Sequence, residues 1–160
     1  MLVNFGLTLD SNRSVRHYCT MNSLLDELVL FIRLAQGFKE RLKLQDRDRA
    51  LVLAASCASL NQMPTVAEFC RRLILQNNHG HMVRKWTSMA YALDDPDFIH
   101  FLKQIRRKLP VEAAESKLIE LEYYCDVRRE DYDDDTAYVA AVMGVDAEWL
   151  DEHFGENSSR

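Results

Sequence analysis

At 160 residues, with 48% hydrophobic and 28% charged side chains, the chain has the length and balance of one domain with a sizeable core, which excludes disorder along its whole length. Only 5 Gly and 3 Pro interrupt runs rich in Leu, Ala, Glu, Lys and Arg, so an all-α single domain over 1–160 is expected, a bundle of about six or seven helices. The net charge of −5 hides an asymmetry: residues 1–63 hold 8 basic and 6 acidic side chains, 64–111 hold 8 and 4, and 112–160 hold 4 and 15. Folding of the acidic third against the basic middle is the plainest reading of that layout.

The first ten residues, MLVNFGLTLD, lack the basic, then apolar, then small-residue order of a secretory signal, so a cytoplasmic location is expected. Cys19, Cys57, Cys70 and Cys125 are widely spaced and read as free thiols. Leu2, Phe5, Leu7 and Leu9 suit a short extended segment, and Ser11 to Thr20 a loop or a single helical turn.

A first helix is expected from Asn22 or Ser23, with Leu24, Leu28, Phe31, Ile32 and Ala35 on one face and Gly37 as its stop. Residues 38–49 read as a charged, solvated lead-in to Ala50–Leu60, ALVLAASCASL. That stretch carries no charge and is apolar or small on every side, the mark of a central buried helix too short to span a membrane. Pro64 ends it.

Thr65 and Glu68 have capping-box spacing, and Val66, Phe69, Cys70, Leu73 and Ile74 follow as an amphipathic stripe, with Glu68 four residues before Arg72. Asn77-Asn78-His79-Gly80 closes that helix. One further helix is expected from His81 to about Leu93, with Met82, Trp86, Met89, Ala90 and Leu93 inward. Asp95-Pro96 starts the next, whose inner face is Phe98, Phe101, Leu102, Ile105 and Leu109. After Pro110, the residues Val111, Ala114, Leu118, Leu121 and Cys125 alternate steps of three and four, as in antiparallel packing.

Near the C-terminus, Thr136–Met143 and Ala147–Phe154 read as two short helices joined at Gly144, with residues 156–160 a loose tail. Ala140, Gly144 and Leu150 sit at helix-turn-helix positions, which predicts an αα-corner. Its second helix offers Glu148, Asp151 and Glu152 without Lys or Arg and would repel phosphates, so use on DNA is rejected.

The cations that could serve an anionic partner are Arg71, Arg72, Arg84 and Lys85, with His79 and His81 beside them, followed by Lys103, Arg106, Arg107 and Lys108. His79-Gly80-His81 lacks the spacing of a zinc site. Asp131, Asp133 and Asp135 open like a calcium loop, but Thr136 and Val142 stand where that loop needs Gly and Glu. No metal and no cofactor is expected. With no nucleophile elbow, phosphate-binding loop or dinucleotide fingerprint, the expected role is non-catalytic protein interaction or regulation, with another protein or a second copy as partner and no membrane. Nucleic-acid or anion binding through helices 65–108 is the alternative.

Overall fold

The computed structural model describes residues 20–156; the proposed extended segment at Leu2–Leu9, most of the Ser11–Thr20 stretch, Cys19 and residues 157–160 of the tail lie outside them. The described residues are all-α: eight α-helices and two short 3-10 turns, one or two helices more than expected and without a strand among them. None of those helices is long and apolar enough to cross a membrane.

Helix α1 (Thr20–Glu40) is already formed at Thr20 and buries Leu25, Leu28, Val29, Phe31, Ile32, Leu34, Ala35 and Phe38. Gly37 does not stop it. The helix runs three residues further and breaks where Leu42 takes a φ of 59°. Gly37 is instead a point of close approach: a Cβ there would lie 3.1 Å from Leu121 Cδ1 and 3.3 Å from Tyr123 Cβ, so the missing side chain admits the end of a later helix.

The expected central helix is α2 (Leu44–Leu60); its charged lead-in is split, residues 38–40 ending α1 and 44–49 opening α2 beyond the break at Leu42, and every residue from Ala50 to Ala58 is buried. It packs along α1 and α3 (Pro64–Asn77) and is also touched by α4 (Met89–Leu93) and α5 (Pro96–Lys108). Small residues at Ala50, Ala54, Ala55, Ser56 and Ala58 let several helices approach one axis, and the Ser56 hydroxyl donates to Val52 O at 2.9 Å, so nothing polar is stranded there.

Three local expectations fail for identifiable reasons. Helix α3 has no capping box: Pro64, which has no N–H to satisfy, takes its first turn and Met63 precedes it, while the Glu68 carboxylate is drawn away to Met89 N (2.8 Å) and to Arg71 rather than Arg72. The single helix over 81–93 is two pieces, a 3-10 turn (Met82–Lys85) capped by His81 and then α4 capped by Ser88. Trp86 and Ser88 are extended between them, and Ala90 is exposed rather than inward. Helix α6 (Val111–Leu121) stops at Glu122, whose φ is 53°, so Cys125 lies beyond it.

The starts at Asp95-Pro96 and Asp146 are as the sequence indicates, and the helix expected over Thr136–Met143 lies one residue earlier. Asp95 accepts from Asp97 N ahead of Pro96, and Trp86 Nε1 donates to Asp95 Oδ2 at 2.8 Å. Helices α7 (Asp135–Val142) and α8 (Ala147–Phe154) are capped by Asp134 and Asp146 and meet at Gly144, whose φ of 82° permits the tight corner over buried Ala140 and Leu150.

The acidic third does pack on the middle of the chain, but through rings. Phe69 of α3 lies 5.2 Å from the Trp149 ring and 5.5 Å from that of Phe154, centroid to centroid. Ion pairs within the acidic third, among the described residues, are internal to it: Lys117–Glu120, Arg128–Asp131 and Arg129–Asp135. Of the calcium-like run, Asp131 and Asp135 are thus held by arginines, and the intervening Asp134 caps a helix start.

Candidate anion-binding cleft

The cations singled out from the sequence are dispersed by the fold. Arg71 is only 19% exposed in its side chain, and its guanidinium donates to Val83 O (3.2 Å), Trp86 O (2.6 Å) and Glu68 Oε1 (3.4 Å), lashing the 82–89 segment to α3. Arg72 is exposed and stacks its guanidinium 5.0 Å from the centre of the Phe154 ring. Lys85 pairs with Asp97 at 3.3 Å and lies over Trp86. Arg84 and His79 are exposed, with no side-chain partner among the described residues. Arg72 lines a groove of about 650 Å³ between α3 and α8, which it shares with Glu68, Asp151 and Glu156.

His81 is half-buried, its Nδ1 accepting from Val83 N (3.2 Å) and its ring against Phe101. Burial holds the imidazole below its ordinary 6.5, opposed in part by the Asp48 carboxylate. The unfolded chain therefore takes up a proton near 6.5 that the folded chain resists. Stability is full above that pH and falls as pH drops from 6.5 toward the folded pKa. Thermal midpoints over an acid series should show this decline, and His81→Asn, which keeps an acceptor, should flatten it.

Nor are the thiols of Cys57 and Cys70 activated. Cys57 sits between Glu27 Oε2 (3.9 Å) and Arg106 Nη2 (3.6 Å), an arrangement with the parts of a nucleophile. Burial outweighs the arginine and pushes the thiol up to about 12, so it stays protonated at neutral pH. Cys70, fully buried, is likewise pushed up to about 12. A crevice of about 190 Å³ between α1, α2 and α3 is lined by Gln36, which bridges Tyr123 and Val142, by Arg47, which holds Asp48 and Leu73 O, and by the exposed Lys39 at its edge.

A different site gathers charge. A cleft of about 180 Å³ is lined by Lys43, Arg49, Lys108 and Lys117, with Asp46 as its one acid and Phe38 and Leu109 as its apolar part. The four cations come from the α1–α2 corner, from α2, from the last turn of α5 and from α6. Lys43 stands at the N-cap of α2, which has no side-chain cap, so the first N–H groups of a 17-residue helix have no acceptor from that side chain. Asp46 is held by Arg49 at 2.8 Å. Lys117 holds Glu120 just outside, and the ammonium keeps that carboxyl below its usual range. Lys43 and Lys108 are exposed and make no ion pair among the described residues.

Sequence reading found only Lys108 of the four, as part of a basic helix end. Lys43 and Arg49 alternate with acids along the chain, and which acids turn away is decided by packing. Among the described residues no group of three His, Cys, Asp or Glu side chains could hold a metal ion. Compared with protein-family models, with curated proteins and with solved structures, the chain finds no match.

Proposed function

We propose that this chain is a non-catalytic interaction module that recognises an acidic segment of a partner protein through the cleft at Lys43, Arg49, Lys108 and Lys117. The supporting observation is the convergence of four cations from four places in the fold on one cleft, against a single acid already held by Arg49, in a chain whose net charge is −5. Charge gathered locally against the overall sign gives specificity and steers association. Phe38 and Leu109 in the cleft, and Leu42 and Leu44 flanking Lys43 with 82% and 36% exposure, offer apolar contacts to the same segment. Binding of nucleic acid along helices 65–108 has less support, because Arg71, Lys85 and Arg106 are engaged by Glu68, Asp97 and Glu27. The free thiols of Cys57, Cys70 and Cys125 suit a reducing compartment, and we place the protein in the cytoplasm.

The test is fluorescence anisotropy of a labelled peptide of glutamate and leucine over a salt series. Binding that weakens with salt, and a loss of roughly tenfold or more in the Lys43→Glu/Lys108→Glu double variant, are expected. The two exposed replacements leave stability within about 0.5 kcal/mol each, which urea denaturation checks. Undiminished binding by the double variant, or none by the wild-type chain at low salt, sinks the reading.

A further inference from the structure

We infer that the anion this cleft is built for is a phosphomonoester dianion, carried on a partner's serine or threonine, an assignment that rests on the preceding reading and sharpens it. The first ground is stoichiometry. With Asp46 taken by Arg49 and Lys117 shared with Glu120, Lys43 and Lys108 stand unpaired among the described residues beside Lys117 around about 180 Å³, more charge than a single carboxylate answers. A phosphoryl group brings roughly −1.5 to −2 charges and three strong acceptor oxygens. Lys117 is tied only to the exposed Glu120, an ion pair that a competing anion displaces readily.

The second ground is the start of α2. Its N-cap Lys43 and first-turn Asp46 line the cleft, and the N-cap side chain offers the leading N–H groups no acceptor, so backbone donors and the positive helix end add to the ammonium groups. The third is shape. The cations form one pocket rather than a track, whereas a nucleic acid presents a row of phosphates and needs a row of partners. Phe38, 5% exposed, and half-buried Leu109 provide the apolar seat for the carbon bearing the phosphate.

The experiment compares three labelled peptides of one leucine-flanked sequence, with phosphoserine, serine or glutamate at the centre, and adds inorganic phosphate and a single-stranded oligonucleotide as competitors. The phosphoserine peptide is expected to bind roughly tenfold or more tighter than either of the others, and Lys43→Gln/Lys108→Gln to erase that preference. Its affinity should fall as pH drops through about 6, where a phosphoryl group loses its second charge. Equal binding of the glutamate peptide overturns the assignment and leaves the acidic-segment reading standing. If no peptide binds, both fall. Inorganic phosphate matching the phosphopeptide overturns a peptide source in favour of a small phosphate compound, and a tighter oligonucleotide overturns the single-pocket argument.

Discussion

Replacing Arg71 by Glu should destabilise the protein by about 3 kcal/mol or more, measured as the shift of the urea transition, although the residue reads in the sequence as part of an outer basic face. Its guanidinium is the donor for Val83 O and Trp86 O, and Val83 and Trp86 are themselves 1% and 7% exposed. Hydrogen bonds from a charged donor contribute about 1.5–3 kcal/mol each, and carbonyls left without partners lose their desolvation compensation as well. The new carboxylate would also face those two oxygens and Glu68, whose other oxygen still holds Met89 N. Arg72→Gln is the control, because Arg72 shares its groove with Glu68, Asp151 and Glu156 and a carboxylate there would add repulsion of its own. It loses only a cation over the Phe154 ring at an exposed position, about 0.5–1 kcal/mol. Equal losses at the two positions would mean that Arg71 is not the tie between α3 and the 82–89 segment.

The contrast between Arg71 and Arg72 shows what was legible in this sequence. Features fixed within a few residues were readable: Asp95-Pro96 and Asp146 start helices, the Val66–Ile74 stripe faces the core, and residues 50–58 of the uncharged stretch are the buried axis, with Leu60 at its end exposed. Where a distant group competes for a local one, the local rule failed. Glu68 is spaced to cap its own helix but is taken by Met89 N, twenty-one residues on. Gly37 is a helix stop by type, yet its lack of a side chain serves Leu121 and Tyr123 instead. The cleft was unreadable for the same reason. In residues 43–49 cations and acids alternate, and only the fold buries Asp48, pins Asp46 on Arg49 and brings Lys108 and Lys117 alongside Lys43. The acidic third, read as an electrostatic complement to the middle, docks by Phe69, Trp149 and Phe154, while its Lys117, Arg128 and Arg129 pair with its own acids.

Asp48→Ala should be the more damaging acid-to-alanine change in that same alternating run, at about 3–5 kcal/mol, against about 1 kcal/mol or less for Asp46→Ala two residues earlier. Asp48 is 5% exposed and its two oxygens are fully used: Oδ1 accepts from Arg47 Nε and Nη2 at 3.2 and 2.9 Å, and Oδ2 from Asn77 Nδ2 at 2.9 Å. Arg47, 11% exposed, also donates to Leu73 O at 2.7 Å, so the pair fastens the start of α2 to the end of α3. Removing the carboxylate leaves a guanidinium out of water without a counter-charge, and that uncompensated charge, more than the lost attraction, sets the magnitude. Urea denaturation separates the two causes. Arg47→Met/Asp48→Ala, which removes the stranded charge, should recover much of the loss, while Asp48→Asn, which keeps an acceptor for Asn77, should fall between wild type and Asp48→Ala. The loss of Asp48 should also carry the titration of His81 further down, since that carboxylate is what opposes the effect of burial on the imidazole. A double variant no more stable than Asp48→Ala alone would refute the stranded-charge account and assign the loss to the hydrogen bond with Asn77.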